Sequence, residues 1–271
     1  MRVQLTRRMI LLVYATLIVV PLLVVFFGTF KTTRQLFDAP FGLPPSLTVE
    51  NYRVILAEHD IGTAFLNSTV VVGLSVPLTL FLASLAAYAV SRIPGWKGWA
   101  IFGFLVLGLA VPAQANMIPQ YVLFDSLGLL NSRLGLVLIN IVVTLPVAVF
   151  ILTGFMKTLP REIYEAASID GAGPWRVYRS VVIPLSLPSI AATAIFLFVI
   201  HWNDLLYPLL FIQEPDKKTL PLALLDFTGQ HLTNYPLLFT GVVVSSVPIL
   251  VAYLFLQRWF VAGMTAGSVK G

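Results

Sequence analysis

The feature that most constrains this chain is a series of apolar stretches, each about as long as a helix that crosses a membrane. Of its 271 residues, 58% are hydrophobic and 11% are charged, whereas an average soluble domain has about 25% charged residues. A soluble fold of this length has too little interior to bury so many apolar side chains. The sequence therefore predicts an all-α integral membrane protein.

Six transmembrane helices are predicted within a single domain that covers residues 1–271. The first apolar run follows Arg7 and Arg8 and lacks a small-x-small cleavage site, so we expect an uncleaved signal anchor. The third is expected to break near Pro112 and Pro119. The polar residues between these prolines are tolerated inside lipid only where the backbone faces protein or water. The predicted spans are about 9–30, 65–90, 100–122, 134–156, 187–212 and 237–257, with a loop over 157–186 and a C-terminal tail over 258–271.

The distribution of basic residues predicts the orientation of the chain in the membrane. Eleven of the 17 Lys and Arg residues fall in the two tails, the turn at Arg92 and the 157–186 loop, and six fall in the other three loops. Since cytoplasmic loops carry the excess of Lys and Arg, both termini and the 157–186 loop are predicted to be cytoplasmic. Membrane anchoring also explains the net charge of +5, and no nucleic-acid partner is expected.

The 157–186 loop carries four basic and three acidic side chains between two apolar runs. Pro160 suits the first position of a helix and Gly171 the residue just after its end, while Gly173 and Pro174 allow a second start. Two adjacent alanines within the first helix leave its backbone nearly bare, so another protein can approach closely. The pattern predicts a helix–turn–helix docking element for a cytoplasmic partner. The alternative is an amphipathic hairpin that only links two spans.

The spacing within this loop resembles the EAA motif of ABC importer permeases. Glu165-Ala166-Ala167 is followed after three residues by Gly171. Nine residues later comes a run that ends in Pro184, where the family has Ile-x-Leu-Pro. Val181 and Ile183 stand at the Ile and Leu positions, and both substitutions keep an apolar side chain of similar size.

Three further stretches resemble the carbohydrate-uptake branch of that family. They are the segment from Met117 to Ser132, the run His201-Trp202-Asn203-Asp204, and the C-terminal sequence QRWFVAGMTAGSVKG. The last resembles the end of the second, MalG-like permease of the pair, with Ser268 in place of the usual Ala. The chain therefore resembles a MalG-like permease with the ABC type I importer fold. The resemblance implies that its 157–186 loop carries a coupling helix.

The resemblance implies a transport subunit rather than an enzyme, in the cytoplasmic membrane of a prokaryote. It would move a sugar or oligosaccharide delivered by an extracytoplasmic solute-binding protein, together with a second, MalF-like permease. It implies no cofactor on this chain, because two partner ATPase subunits would bind ATP and Mg, and no phosphate-binding GxxxxGK[ST] loop is present. It assigns ATPase coupling to Glu165, Ala166, Ala167, Asp170, Gly171 and Pro184, and ATPase contact by the tail to Thr265, Gly267 and Lys270.

Polar residues at membrane depth are the candidates for the solute path. Asp204 lies about 24 Å along a helix from Pro188, and an acid at that depth is a functional candidate by default. With Trp202, Asn203 and Asn140 it could line the path, or it could belong to an interfacial belt or a helix contact. The three histidines lack metal-ligand spacing and the chain has no cysteine, so no metal site is expected.

Other transport and enzyme functions remain as alternatives. A permease of the same family for sugar alcohols or glycerol phosphates would share every motif above. A stand-alone secondary transporter normally needs ionisable groups at mid-membrane, and these spans hold almost none apart from Asp204. A membrane-embedded enzyme would need a cluster of acids, histidines or a nucleophile–base pair, and none is evident.

Overall fold

The computed structural model describes residues 2–228 and 233–266. These residues are almost entirely helical, and an isolated antiparallel bridge pairs Thr228 with Thr233. In chain order the α-helices are α1 (Arg2–Gly28), α2 (Thr33–Asp38), α3 (Glu50–Ala57), α4 (Ile61–Arg92), α5 (Gly95–Val106), α6 (Met117–Ser126), α7 (Arg133–Met156), α8 (Arg161–Ile169), α9 (Pro174–Val177), α10 (Ile183–Trp202), α11 (Leu206–Phe211), α12 (Leu220–Leu224) and α13 (Tyr235–Ala266). A π-helical turn covers Tyr178–Val182, and 3₁₀ turns cover Leu107–Ala110, Ala113–Asn116, Pro215–Lys217 and Leu225–Phe227.

The predicted helical membrane architecture is confirmed. Within the described residues, five helices and one bent helix pair are long and apolar enough to cross a membrane. Counting the bent pair, Gly95–Ala110 with Ala113–Ser126, as one crossing gives six. The straight candidates are Thr6–Gly28, Ile61–Arg92, Arg133–Met156, Pro174–Trp202 and Tyr235–Phe255.

The third crossing bends by 84° between its two halves. Val111 is extended, with φ −105° and ψ 120°, as expected for a residue that precedes proline. The break expected near Pro112 is therefore confirmed, but the break expected near Pro119 is wrong. Pro119 lies in the first turn of α6, where its missing N–H breaks no helical hydrogen bond.

The fifth crossing was predicted over 187–212, and its helix ends ten residues before the predicted boundary. The helix runs through the π-helical turn from Pro174 to Trp202. In that turn the N–H of Ile183 reaches back five residues to the carbonyl of Tyr178, and the wider turn accommodates Pro184, which has no N–H to donate. The helix ends at Trp202, and α11 forms a separate short helix.

The last helix is longer than the predicted crossing. Helix α13 continues to Ala266, so residues 258–266 of the expected tail are helical. The predicted span over 237–257 lies inside this helix. Its candidate membrane segment, Tyr235–Phe255, begins two residues before the predicted start.

The described residues form two compact units, one within Met1–Phe65 and Lys218–Pro248 and the other within Leu66–Lys217 and Ile249–Gly271. In the first unit, the buried ammonium of Lys31 donates hydrogen bonds to the carbonyls of Ala39 (2.8 Å) and Gly42 (2.6 Å). These bonds hold the segment that follows α2. The single domain expected over 1–271 stays a prediction.

The second unit holds most of α4 and all of α5 to α11, and it is built around α7. Helix α7 buries one face of apolar side chains, including Leu136, Ile139 and Leu152. The bent crossing packs closely on it, because a Cβ added to Gly108 would lie only 2.7 Å from Cγ of Pro146. This unit carries the 157–186 loop and the candidate solute-path residues.

Candidate functional site

Helix α8 is the first half of the helix–turn–helix predicted in the 157–186 loop. It begins at Arg161, one residue after the predicted start, with Pro160 as its N-cap. Tyr164 is its buried side chain, and the guanidinium of Arg92 lies 4.3 Å from the centre of the tyrosine ring. Burial raises the pKa of the Tyr164 phenol, and the nearby positive charge of Arg92 opposes that rise. The opposite face presents exposed Glu165, Ala166 and Ile169, as a docking surface requires.

The turn after α8 is a Schellman cap. Gly171 has φ +69°, a left-handed conformation that strongly favours glycine. The N–H of Ala172 donates to the carbonyl of Ala167 (3.0 Å), and the N–H of Gly171 donates to that of Ser168 (3.1 Å). The prediction of a helix end at Gly171 is thereby confirmed, and so is the restart at Pro174, which is the first residue of α9.

The second half of the loop is fixed to the membrane helices. The hydroxyls of Tyr178 and Ser84 lie 2.8 Å apart, and both are buried. The hydroxyl of Tyr88 donates to the carbonyl of Pro174 (3.2 Å). Since α4 carries both Ser84 and Tyr88, and α9 runs on into α10, the loop is attached to two membrane-length helices.

The structure groups most of the predicted ATPase-coupling residues. Glu165, Ala166, Ala167, Asp170 and Gly171 all lie on α8 and its cap, and all but half-buried Ala167 are exposed. Pro184 lies in another element, α10, beyond the π-helical turn. Thr265 lies near the end of α13, and Gly267 and Lys270 lie outside the described residues. The ATPase contacts of all these residues stay predictions.

The four candidates for the solute path have contacts within the chain. Trp202 is only 2% exposed, and its ring stacks on Phe198 at 5.6 Å between centroids. The side-chain amide of Asn203 donates to the carbonyl of Val199 (2.8 Å). Oδ1 of Asp204 accepts from the N–H groups of Leu206 (3.2 Å) and Tyr207 (3.5 Å), so this acid caps α11.

Asn140, the fourth candidate, lies beside a buried polar cluster that the sequence did not predict. The ring of His201 lies between two hydroxyls, with Nδ1 2.8 Å from Ser75 Oγ and Nε2 3.0 Å from Thr144 Oγ1. The hydroxyl of Thr144 donates to the carbonyl of Asn140 (2.6 Å), so its oxygen is free to accept from Nε2–H. Nδ1 is then the acceptor for the hydroxyl of Ser75. The cluster joins α4, α7 and α10.

His201 and Asp204, three residues apart in the sequence, are not paired through their side chains. Both ring nitrogens of His201 face hydroxyls, while the carboxylate of Asp204 accepts from backbone N–H groups. Within residues 2–228 and 233–266, no group of three or more His, Asp or Glu side chains is arranged to hold a metal ion. Polar residues inside apolar spans were the available signal for the cluster, but their pairing is a tertiary property.

The second unit combines membrane-length helices with a helix–turn–helix loop that continues into one of them, as expected for a permease. Residues 75–266 match the family described as "Binding-protein-dependent transport system inner membrane component". The chain belongs to this family of ABC importer permeases, as the EAA spacing predicted. It is therefore a multi-pass transport subunit of the prokaryotic cytoplasmic membrane, and ATP hydrolysis lies with a separate subunit.

Curated relatives match over nearly the whole chain. The diacetylchitobiose uptake system permease protein NgcG of Streptomyces coelicolor is 34% identical over 96% of this chain and 87% of its own length. The multiple sugar-binding transport system permease protein MsmG of Streptococcus mutans is 35% identical over 96% of this chain and 95% of its own length. The arabinooligosaccharides transport system permease protein AraQ of Halalkalibacterium halodurans is 34% identical over 95% of this chain and 93% of its own.

Solved structures share the fold. A chain of a bacterial ABC transporter involved in the import of the acidic polysaccharide alginate superposes with a TM-score of 0.81, over 95% of this chain and 96% of that one, at 19% identity. A chain of a bacterial alginate ABC transporter in complex with a pentasaccharide-bound periplasmic protein gives a TM-score of 0.71, over 95% and 94%, at 16% identity. At these identities the likeness establishes the fold, which is that of an ABC importer permease.

Proposed function

We propose that this chain is one of two permease subunits that together form the solute path of a sugar or oligosaccharide importer. The observation that carries the proposal is the coupling loop, residues 157–186. The exposed face of α8 is shallow and carries two carboxylates, Glu162 and Glu165, and the other end of the loop continues into a membrane helix. A partner bound to that face would move the helix directly.

The partners follow from the same arrangement. Two ATPase subunits, with ATP and Mg bound to them, would each engage one permease, and on this chain the contact would be made by α8 and its cap. The second permease is proposed to be MalF-like, and an extracytoplasmic solute-binding protein is proposed to deliver the solute. In support, one similar transporter was solved with a pentasaccharide-bound periplasmic protein.

The proposed cargo is an oligosaccharide. Relatives at 34–35% identity are named for diacetylchitobiose, multiple sugars and arabinooligosaccharides, which favours this class over sugar alcohols and glycerol phosphates. Trp202, buried against Phe198, is placed to support the path rather than to stack on a sugar ring. Asn203 is exposed and Asp204 is half-buried, which leaves both some surface for a solute, although both also bind backbone groups.

The test is a pair of matched substitutions on α8. Glu165→Gln removes the charge that the EAA resemblance assigns to the ATPase contact, and we expect more than about a tenfold loss of ATPase co-purification and of uptake, because breaking one partner of an interfacial charge pair costs about 2–5 kcal/mol. Glu162→Gln changes the same charge on the same helix, also at an exposed position, and is expected to have little effect. Uptake is measured in cells that express the whole importer, with a panel of radiolabelled oligosaccharides that includes diacetylchitobiose.

Two results would contradict the proposal. Normal uptake and normal ATPase recovery with Glu165→Gln would remove the coupling role of α8. Accumulation of a labelled sugar alcohol or glycerol phosphate, with no uptake of any oligosaccharide, would remove the cargo assignment and leave the coupling role intact. The two parts of the proposal therefore fail separately.

A further inference from the structure

A basic cavity of about 640 Å³ lies beside α8, and two residues of the exposed face of that helix, Glu165 and Ile169, are part of its lining. Three cations line it, Arg92, Lys157 and Arg161, and one carboxylate, Glu165. None of these cations has a carboxylate within ion-pair distance in the part of the chain that the structure describes, where the ion pairs involve other residues. The lining thus carries an excess of two positive charges.

Aromatic rings hold two of these cations in place. The ammonium of Lys157 lies 4.4 Å from the centre of the Trp99 ring and 4.8 Å from that of Phe102. The guanidinium of Arg92 lies over Tyr164, whose buried hydroxyl also has no hydrogen-bond partner among the described residues. An oriented set of cations with a spare hydroxyl donor is suited to an oxyanion with several acceptor oxygens.

The position of the cavity places it at the surface of the bilayer. Its lining includes the last residue of α4, the first residue of α5 and the last residue of α7, all helices that are apolar enough to enter a membrane. The ring of Trp99 is 67% exposed, as is typical of an aromatic belt at the headgroup level. Basic pockets between transmembrane helices on the cytoplasmic side bind anionic headgroups.

We propose that this cavity binds the phosphodiester headgroup of an acidic phospholipid from the cytoplasmic leaflet, next to the coupling helix. Arg161 belongs to α8 itself, so a bound headgroup would link the position of that helix to the membrane surface. The inference rests on this chain being a permease with its coupling loop in the cytoplasm, and it does not depend on which solute is carried.

The experiment measures lipid binding to the full-length chain in detergent by native mass spectrometry. The probes are phosphatidylglycerol and phosphatidylcholine with identical short acyl chains, and inorganic phosphate serves as a competitor. We expect phosphatidylglycerol to bind about tenfold or more tightly than phosphatidylcholine, and millimolar phosphate to displace little of it. The variant K157Q/R161Q is expected to lose that preference.

Lys97→Gln is the matched control, because Lys97 lies exposed in α5 and outside the cavity lining. It is expected to keep the preference for phosphatidylglycerol, whereas an equal loss in this variant would show only general attraction to the basic face. Phosphate that competes as well as the lipid would overturn the headgroup assignment. Release of the lipid on addition of the ATPase subunits would also overturn the proposal, because it would show that these cations bind the ATPase. The single variant R161Q, which changes an exposed side chain, tests the proposal if the double variant does not fold.

Discussion

The cap of the coupling helix depends on the backbone conformation of a single residue. Gly171 sits at φ +69°, and the two cap hydrogen bonds close around it. A residue with a Cβ pays about 1–2 kcal/mol for a left-handed conformation. Two residues on, Gly173 has φ −67°, which any residue adopts. Neither glycine has an atom within 4 Å of the place where a Cβ would lie, so conformation alone separates them.

Gly171→Ala is therefore expected to destabilise the turn by about 1 kcal/mol and to lower ATPase recovery and uptake. Gly173→Ala is the control and is expected to be neutral or slightly stabilising, because it restricts the unfolded chain. Thermal unfolding of the purified full-length chain and co-purification of the ATPase measure the two effects. Equal behaviour of the two variants would show that the cap does not set the position of α8.

For single residues, the sequence predicted the roles that follow from the backbone conformations a residue allows. The roles of Gly171 and Pro174 follow from their allowed φ angles, so their places in the turn could be derived without a structure. The role of Asp204 could not, because it caps α11, a short helix that was not predicted. Without α11, the sequence offers only the solute path, an interfacial belt or a helix contact as roles for this carboxylate.

In the second unit, the buried cluster of Ser75, Thr144 and His201 joins three helices. His201 is 5% exposed, and its two ring nitrogens each face a hydroxyl from a different helix. A buried polar group left without a partner costs about 1–3 kcal/mol. The arrangement therefore favours one alignment of α4, α7 and α10 over any that separates these side chains.

His201→Leu is expected to destabilise the chain by about 1–3 kcal/mol, because it leaves the fully buried hydroxyl of Ser75 without its partner. The double variant S75A/H201L removes that hydroxyl too and is expected to recover part of the loss. Thermal unfolding in detergent compares the three proteins. A double variant no more stable than His201→Leu alone would mean that the loss comes from packing and not from the hydrogen bond.

Hydropathy predicted where the helices cross better than where they end. The fifth span was extended to residue 212 because Leu205 to Ile212 is as apolar as the helix before it, and no composition window detects the end of α10 at Trp202. The continuity of this helix with the loop was not predicted, because Pro184 interrupts a helix unless a π-helical turn precedes it. Ser75 and His201 lie 126 residues apart, so their contact depends on packing that no local pattern encodes.

For the whole molecule, the orientation in the membrane decides whether the coupling loop can reach an ATPase. Eleven of the 17 basic residues lie on the side predicted to be cytoplasmic. The chain has no cysteine, so any cysteine introduced into it is a unique label site.

Asp170→Cys, at the exposed cap of α8, is expected to resist a membrane-impermeant maleimide on intact cells and to react after lysis. Glu58→Cys, exposed between the first two crossings, is expected to react in intact cells. The extent of labelling on a gel measures both. The opposite pattern would place the termini and the coupling loop outside, and would rule out a cytoplasmic ATPase as the partner of α8.

The bend in the third crossing changes the medium through which a solute would travel. Ten residues between α5 and α6, 107–116, leave the α-helix, and all of them except half-buried Ala113 are exposed in this chain. Eight of them form 3₁₀ turns with internal hydrogen bonds, and hydrocarbon offers the remaining carbonyl and amide groups no partner. We therefore expect a pocket of hydration, or a polar group from the second permease, at this depth. The dry, low-dielectric barrier is then thinner here than the bilayer itself, and that lowers the free energy a sugar needs to cross.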